Sequence, residues 1–174
     1  MSPPDSRSPP PPSSAAETAY LSLMRAAPSS ADRLTLKPET LDDIYAQLRA
    51  VEPGFLIGEW TGGDFPELGH PVSASLTQIR WAGKSFYSAE DVVPIVVYDA
   101  QGSRTPALEP YGKARIREVK FRGVVSAAMV YDILAIIDHF RYVDENTVAG
   151  VMDTKDAPPG YHFYLKRLDA KSRL

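Results

Sequence analysis

The sequence predicts a mainly β protein: a single antiparallel β-barrel with one or two short helices and a disordered, Pro/Ser-rich N-terminus. Three observations carry this. Five β-branched and aromatic runs follow one another closely, at about 113–121, 124–131, 135–143, 147–154 and 161–168. Their links are short, which makes neighbours antiparallel, and a sheet of seven or eight such strands hides its edges by closing on itself. The whole chain, 174 residues with 44% hydrophobic and 24% charged, has the size and composition of one ordinary globular domain.

Residues 1–30 carry seven prolines and eight serines, including Pro9-Pro10-Pro11-Pro12. That composition buries too little apolar surface to offset chain entropy, and it lacks the layout of a secretory signal. Residues 1–32 are therefore expected to be disordered, and deleting 1–30 to shift the melting temperature by only a few degrees. Tyr20-Leu21-Ser22-Leu23-Met24 is the apolar exception, readable as part of a loose flap or as a short helix docked on the barrel. The barrel domain is expected over 33–174, with a first part at 33–110 and C-terminal antiparallel strands at 111–168.

Thr40-Leu41-Asp42-Asp43 resembles a capping box, and Leu41, Ile44, Tyr45 and Leu48 recur at helical spacing, so a helix is expected at about 40–51. Phe55–Thr61 reads as a strand ending at Gly62-Gly63. A loop rich in Gly, Pro and His follows, then a short helix over Ser73–Trp81 with Leu76 and Ile79 on one face and Gly83 as its stop. Pro94–Tyr98 is a β-branched run closed by the turn Asp99-Ala100-Gln101-Gly102.

Residue parity sorts strand side chains onto two faces. With a three-residue loop at Asp144-Glu145-Asn146, Val143 faces Thr147, Phe140 faces Gly150 and Asp138 faces Met152. The even face (Ile136, Asp138, Phe140, Tyr142, Val148, Gly150, Met152) is the more apolar and is expected to point inward. Asp138 then interrupts an apolar surface. Desolvation favours the neutral form of a carboxyl group, which suits a general acid or base; the plainer reading is a structural hydrogen bond. A one-residue slip would instead bring in His139, Arg141 and Asp153. In the drawn register Asp153 lies diagonal to His139, and on an outer face that pair is a solvated ion pair. Small residues at Ser126, Ala127 and Ala128 leave room for a ligand, with Tyr131 on the wall of Met129 and Val125. On the preceding strand Arg115 and Arg117 fall in phase with Val119 and Phe121, which implies a bulge near Glu118 or inward arginines.

Gly58-Glu59-Trp60-Thr61-Gly62 reads G-x-W-x-G. In lipocalin-like (calycin-like) barrels a Gly-x-Trp on the first strand plugs one end beneath a cationic side chain, for which Arg167, Arg141 and Lys166 are candidates. Leu56–Trp60, Gly69-His70-Pro71 and Arg80–Phe86 together resemble the bacterial and fungal GXWXG family. Phe121–Asp132, Ile136–Arg141 and Gly150–Asp153 resemble the domain of unknown function that usually follows it. The resemblance spans about residues 40–168 and implies a small barrel without implying a reaction. Ala135 departs from it, standing where the pattern has Pro.

There are no cysteines, so thiol catalysis, disulfides and Cys-ligated zinc are excluded. Lys plus Arg number 19 against 22 Asp plus Glu, a net charge of −3, which argues against a nucleic-acid partner. No apolar run is long enough for a membrane span, and a cytoplasmic location is expected. His70, His139 and His162 have no companions at metal-ligand spacing, so no metal and no cofactor is expected, haem included. Phosphate loops and a G-x-S-x-G elbow are absent. What remains is a cofactor-free pocket for a hydrophobic small molecule. The leading expectation is an isomerase, cyclase or dehydratase acting on an apolar biosynthetic intermediate; the alternatives are a carrier or sensor of such a molecule, and a protein-interaction module. A homodimer is left open. Asp138 and then His139 are the candidate proton-transfer groups, Arg141 and Lys84 would stabilise negative charge on a substrate oxygen, and Met129, Tyr131, Phe140 and Met152 would line the pocket, with Trp81 on a loop as its lid.

Overall fold

A computed structural model describes residues 13–168. The strands are β1 (Gly58–Asp64), β2 (Trp81–Ser88), β3 (Asp91–Tyr98), β4 (Arg104–Pro106), β5 (Ala114–Phe121), β6 (Val124–Tyr131), β7 (Ile136–Asp144), β8 (Thr147–Thr154) and β9 (Tyr161–Arg167). The helices are α1 (Ala15–Arg25), α2 (Ala31–Leu34), α3 (Pro38–Gln47), α4 (Pro71–Gln78) and α5 (Leu108–Tyr111). Strand order is β2-β1-β9-β8-β7-β6-β5-β3, and β2 also pairs β3, so eight antiparallel strands close into a barrel in chain order. The short β4 hangs on the outside of β3.

The five C-terminal strands lie within one or two residues of their expected positions. The β7–β8 register places Phe140 opposite Gly150 and Asp138 opposite Met152, with Thr147 paired to Asp144 rather than Val143 across a bulge. β5 and β6 pair without a break from Ala114↔Tyr131 to Phe121↔Val124. The expected bulge near Glu118 is therefore absent, and Arg115 and Arg117 are exposed rather than inward. Val119 and Phe121 share their outward face, and the Phe121 ring stacks on His139 at 3.8 Å.

Several N-terminal expectations are corrected. The α3 helix begins at Pro38, pre-set for the first turn, after Lys37, so Thr40 lies inside the helix and is not its cap. Pro53–Leu56 forms a 3-10 turn, and β1 starts later and continues through Gly62-Gly63. Those glycines stay in the strand because the Trp81 and Tyr164 rings lie where their side chains would be. Trp81 opens β2 and is not in a loop, because Gly83 lies inside that strand and not at a turn.

Trp60 is fully buried and plugs one end of the barrel. Its Nε1 donates to the Leu56 carbonyl at 2.7 Å, and the Arg167 guanidinium sits 4.2 Å from the ring centroid. Arg167 also donates to the Ile57 and Phe55 carbonyls, which fastens the 3-10 turn across this end.

The outer faces of β7, β8 and β9 are covered by α1 and α3, burying Val143, Ala149 and Val151. The disordered segment expected over 1–32 is thus corrected from residue 15 onward; residues 1–12 lie outside the described residues. Ser14 and Glu17 form a capping box that starts α1. Tyr20 of α1 is fully buried and donates to the Phe163 carbonyl at 3.0 Å, while Tyr45 of α3 donates to the His139 carbonyl at 2.9 Å. After α3 the chain wedges between β6 and β7, where Val51 accepts from Ala127 N–H and Arg49 from Tyr142 N–H.

Two consequences are measurable. Tyr20→Ala is expected to cost about 3–5 kcal/mol in urea unfolding, or on the order of 10 °C in melting temperature, and deletion of residues 1–30 at least as much. The second concerns His139 and His162, which are buried on the outer faces of the strands and held below the ordinary imidazole value by desolvation, partly offset by Asp153 and Asp42. As pH falls through roughly 6.5 the unfolded chain takes up these protons first, so stability is full above that pH and declines below it. His162→Phe should flatten that decline in unfolding free energies measured between pH 7.5 and 5.

Candidate functional site

The barrel is filled at the Trp60 end and hollow at the other. There a cavity of about 240 Å³ opens, roughly eight waters' worth. Its floor is made by the buried Lys84, Ile95, Tyr131, Asp138 and Phe163, and its rim by Val72 and Leu76 of α4, Ile79 at the end of that helix and Ala157 of the β8–β9 loop. Val72, Leu76 and Ile79 recur at helical spacing, so α4 lays its apolar stripe over the opening. His70 ties the rim together: Nδ1 accepts from Val72 N–H at 3.2 Å, capping α4, and Nε2 donates to the Pro158 carbonyl at 2.9 Å.

Two opposite charges stand in the floor. Lys84 Nζ lies 2.9 Å from Asp138 Oδ2, and both side chains are 3% exposed. Local backbone irregularity puts the lysine there. Around Lys84, Ser85 pairs Val93 and Gly83 pairs Val96, so two residues of β3, Pro94 and Ile95, stand opposite one of β2. Pro94 has no N–H to lose, and bulges are where strands accept proline. Its carbonyl accepts from Lys84 Nζ at 3.1 Å. The compensating irregularity falls at Gly83, with φ +134°, where a side chain would overlap the Trp60 carbonyl. It breaks the two-residue period, so Trp81 and Lys84 both face the cavity. The ammonium is flanked by the rings of Phe163, Trp81 and Tyr131 at 5.3, 5.6 and 5.8 Å from their centroids.

The tyrosines of the site are held as neutral phenols. Burial, reinforced by Asp138, pushes Tyr131 well above its ordinary value. Tyr161 is raised by burial and by Asp64, whose carboxylate accepts its hydroxyl at 2.9 Å. The site therefore brings the Lys84–Asp138 ion pair and neutral phenols together against apolar walls. Among the described residues no group of three His, Cys, Asp or Glu is placed to hold a metal ion.

Of the expected site residues, Asp138, Lys84, Tyr131, Met152 and Trp81 meet around one cavity. Trp81 does so from a strand, with Nε1 donating to the Gly83 carbonyl at 2.9 Å, and the cover is α4 instead. Phe140 and Met129 are fully buried one layer deeper, where Phe140 packs edge-on against Phe86 and Phe163; they support the floor without lining the cavity. His139 and Arg141 lie on the outside of the barrel. His139 pairs with Asp153 at 3.2 Å, buried itself while Asp153 stays half exposed. Arg141 is buried over the Tyr45 ring and donates to the Leu48 and Phe121 carbonyls. Neither reaches the cavity, because both have the parity opposite to Asp138. Tyr161 and Phe163 were missed as lining residues. The β8–β9 register, Met152↔Tyr161, puts both on the inward face, and the alternation Tyr161, Phe163, Leu165 was the available signal.

Residues 43–102 match the model described as GXWXG protein, and residues 112–167 match the domain of unknown function DUF4334. A solved structure described as a protein from Thermomonospora curvata is 36% identical and superposes with a TM-score of 0.79, covering 88% of this chain and 99% of that one. No curated protein matches. No described helix is long and apolar enough to cross a membrane.

The charge pair has a thermodynamic signature. Lys84→Met or Asp138→Leu alone leaves one charge buried and should cost about 3–5 kcal/mol, whereas replacing both should recover most of that loss. Urea unfolding of the four proteins measures it; additive losses would show that the two groups do not interact.

Proposed function

The chain belongs to the family in which a GXWXG protein domain is followed by DUF4334, and from that premise we propose that its barrel binds a compact hydrophobic molecule and moves a proton on it without a cofactor. The observation that supports this reading is the Lys84–Asp138 pair at the floor of an otherwise apolar cavity. A volume of 240 Å³ is below the roughly 300–1,000 Å³ of drug-sized sites and suits on the order of eight to twelve non-hydrogen atoms.

The chemistry follows from the placement. An oxygen on the substrate takes a hydrogen bond from Lys84 Nζ, beside which the Tyr131 phenol is a second donor. Negative charge developing on that oxygen is stabilised by donors already in place. Asp138, on the same floor, removes a proton from the carbon next to the activated group and returns it elsewhere, which is an isomerisation, or assists loss of a hydroxyl as water, which is a dehydration. Apolar walls hold a flexible carbon skeleton in one conformer, and such confinement contributes to ring closure. A biosynthetic intermediate of that size and polarity fits this description. The second reading, a carrier or sensor, is favoured by the apolar rim of α4, which encloses a ligand whether or not it reacts.

Proton transfer can be tested without knowing the natural substrate. Carvone, an enolisable ketone with ten carbons, is incubated in D₂O with the protein and followed by NMR. The expected result is protein-dependent deuterium uptake next to the carbonyl, lowered about 10²-fold or more by Asp138→Asn while carvone binding is retained. Binding without exchange in the unaltered protein selects the carrier reading. An absence of binding for carvone and for alcohols of its size overturns both.

A further inference from the structure

Lys84 is the buried lysine among the described residues, and the cavity reaches it. We propose that Lys84 is a covalent site: its Nζ condenses reversibly with the carbonyl carbon of a compact apolar aldehyde or ketone to give a protonated imine. This rests on the reading of the cavity given above and adds the functional group of the molecule that enters it.

Stability alone does not account for the pair, because a buried ion pair is commonly matched or bettered by apolar side chains of the same volume. What the pair offers is chemistry at the cavity surface. An ammonium has three N–H donors. Two are directed to Asp138 Oδ2 at 2.9 Å and the Pro94 carbonyl at 3.1 Å, which leaves one direction for the cavity. Desolvation in an apolar pocket is one of the ways a lysine amine becomes a nucleophile. The proton that must leave first has an acceptor in hydrogen-bond contact, Asp138.

The steps balance around those two groups. Lys84 passes a proton to Asp138, and its lone pair adds to the carbonyl carbon while the C=O π pair moves to oxygen. Asp138 gives its proton to that oxygen and takes one from the nitrogen, leaving a neutral carbinolamine and a protonated Asp138. Asp138 then protonates the hydroxyl, the C–O bond breaks with release of water, and the nitrogen lone pair forms C=N. Ammonium, carboxylate and carbonyl have become protonated imine, carboxylate and water, so no net charge has entered or left the site. The new cation keeps the counter-ion and the three ring faces that flanked the old one. The imine withdraws electrons from its neighbouring carbon, whose proton Asp138 then takes more readily than from the free carbonyl compound.

The test uses the unaltered full chain, so it does not depend on a variant folding. Citral, an unsaturated aldehyde with ten carbons, is added with sodium cyanoborohydride, which fixes imines as secondary amines, and the modified residues are located by peptide mass mapping. The expected result is modification of Lys84 at least tenfold faster than of the exposed Lys37, Lys113 and Lys155, slowed by geraniol, the corresponding alcohol, which cannot condense. Asp138→Asn should slow Lys84 modification by a similar factor while geraniol binding persists. Modification of Lys84 no faster than of the surface lysines overturns the proposal. If geraniol binds in that case, the imine fails and the cavity reading stands; if geraniol does not bind either, both fail.

Discussion

The Lys84–Asp138 pair crosses the bore of the barrel. Its partners stand on β2 and β7, with β1, β9 and β8 between them one way round and β3, β5 and β6 the other, so they face each other from opposite walls. An eight-stranded barrel is just wide enough for side chains to fill, and a lysine reaching across it meets an aspartate at the far side. The pair therefore divides the interior. On one side Phe140, Phe86, Met129 and Trp60 pack without room for a ligand, and on the other the cavity begins. Holding two charges there requires the irregularity of β2 and β3 around Gly83 and Pro94, which turns the lysine inward and supplies a carbonyl. It also requires rings around the ammonium in place of water.

The outside of the barrel follows a different logic. β7 to β9 carry buried polar groups on their outer faces, and several hydrogen bonds there tie the helical layer to the sheet. Arg141 binds the carbonyl that ends α3, Tyr45 and Tyr20 donate to strand carbonyls, and His162 Nε2 meets Asp42 of α3 at 2.9 Å. His162 Nδ1 has no partner, consistent with a neutral ring whose proton sits on Nε2. These residues are buried and titratable yet serve attachment. Burial alone therefore does not separate the site from the scaffold; the face of the strand does.

Much of this was legible in the chain. Short turns with alternating faces located the C-terminal strands, and the Asp144-Glu145-Asn146 turn set the register that puts Asp138 inside and His139 outside. The Gly-x-Trp plug and its cover were readable too, with Arg167 among the candidates. The N-terminal half was harder for physical reasons. Proline and serine before α1 masked a helix that its own residues encode, through the Ser14–Glu17 capping box and the Ala, Leu and Met of the segment, and that docks through Tyr20. Gly83 reads as a stop in isolation, and only the β3 partner shows it to be a strand irregularity. The pairing of Lys84 with Asp138 depends on that irregularity and on closure of the barrel between distant segments, neither of which a local pattern encodes.

The Lys84–Asp138 pair forms the polar floor of the cavity proposed above to hold a ligand. A crystal structure of the protein with bound carvone tests it most directly. The expected result is the ring among Leu76, Tyr131 and Met152, with the carbonyl carbon or oxygen against Lys84 Nζ. Carvone seated elsewhere, or a cavity end filled by side chains with Lys84 and Asp138 sealed beneath them, would contradict it.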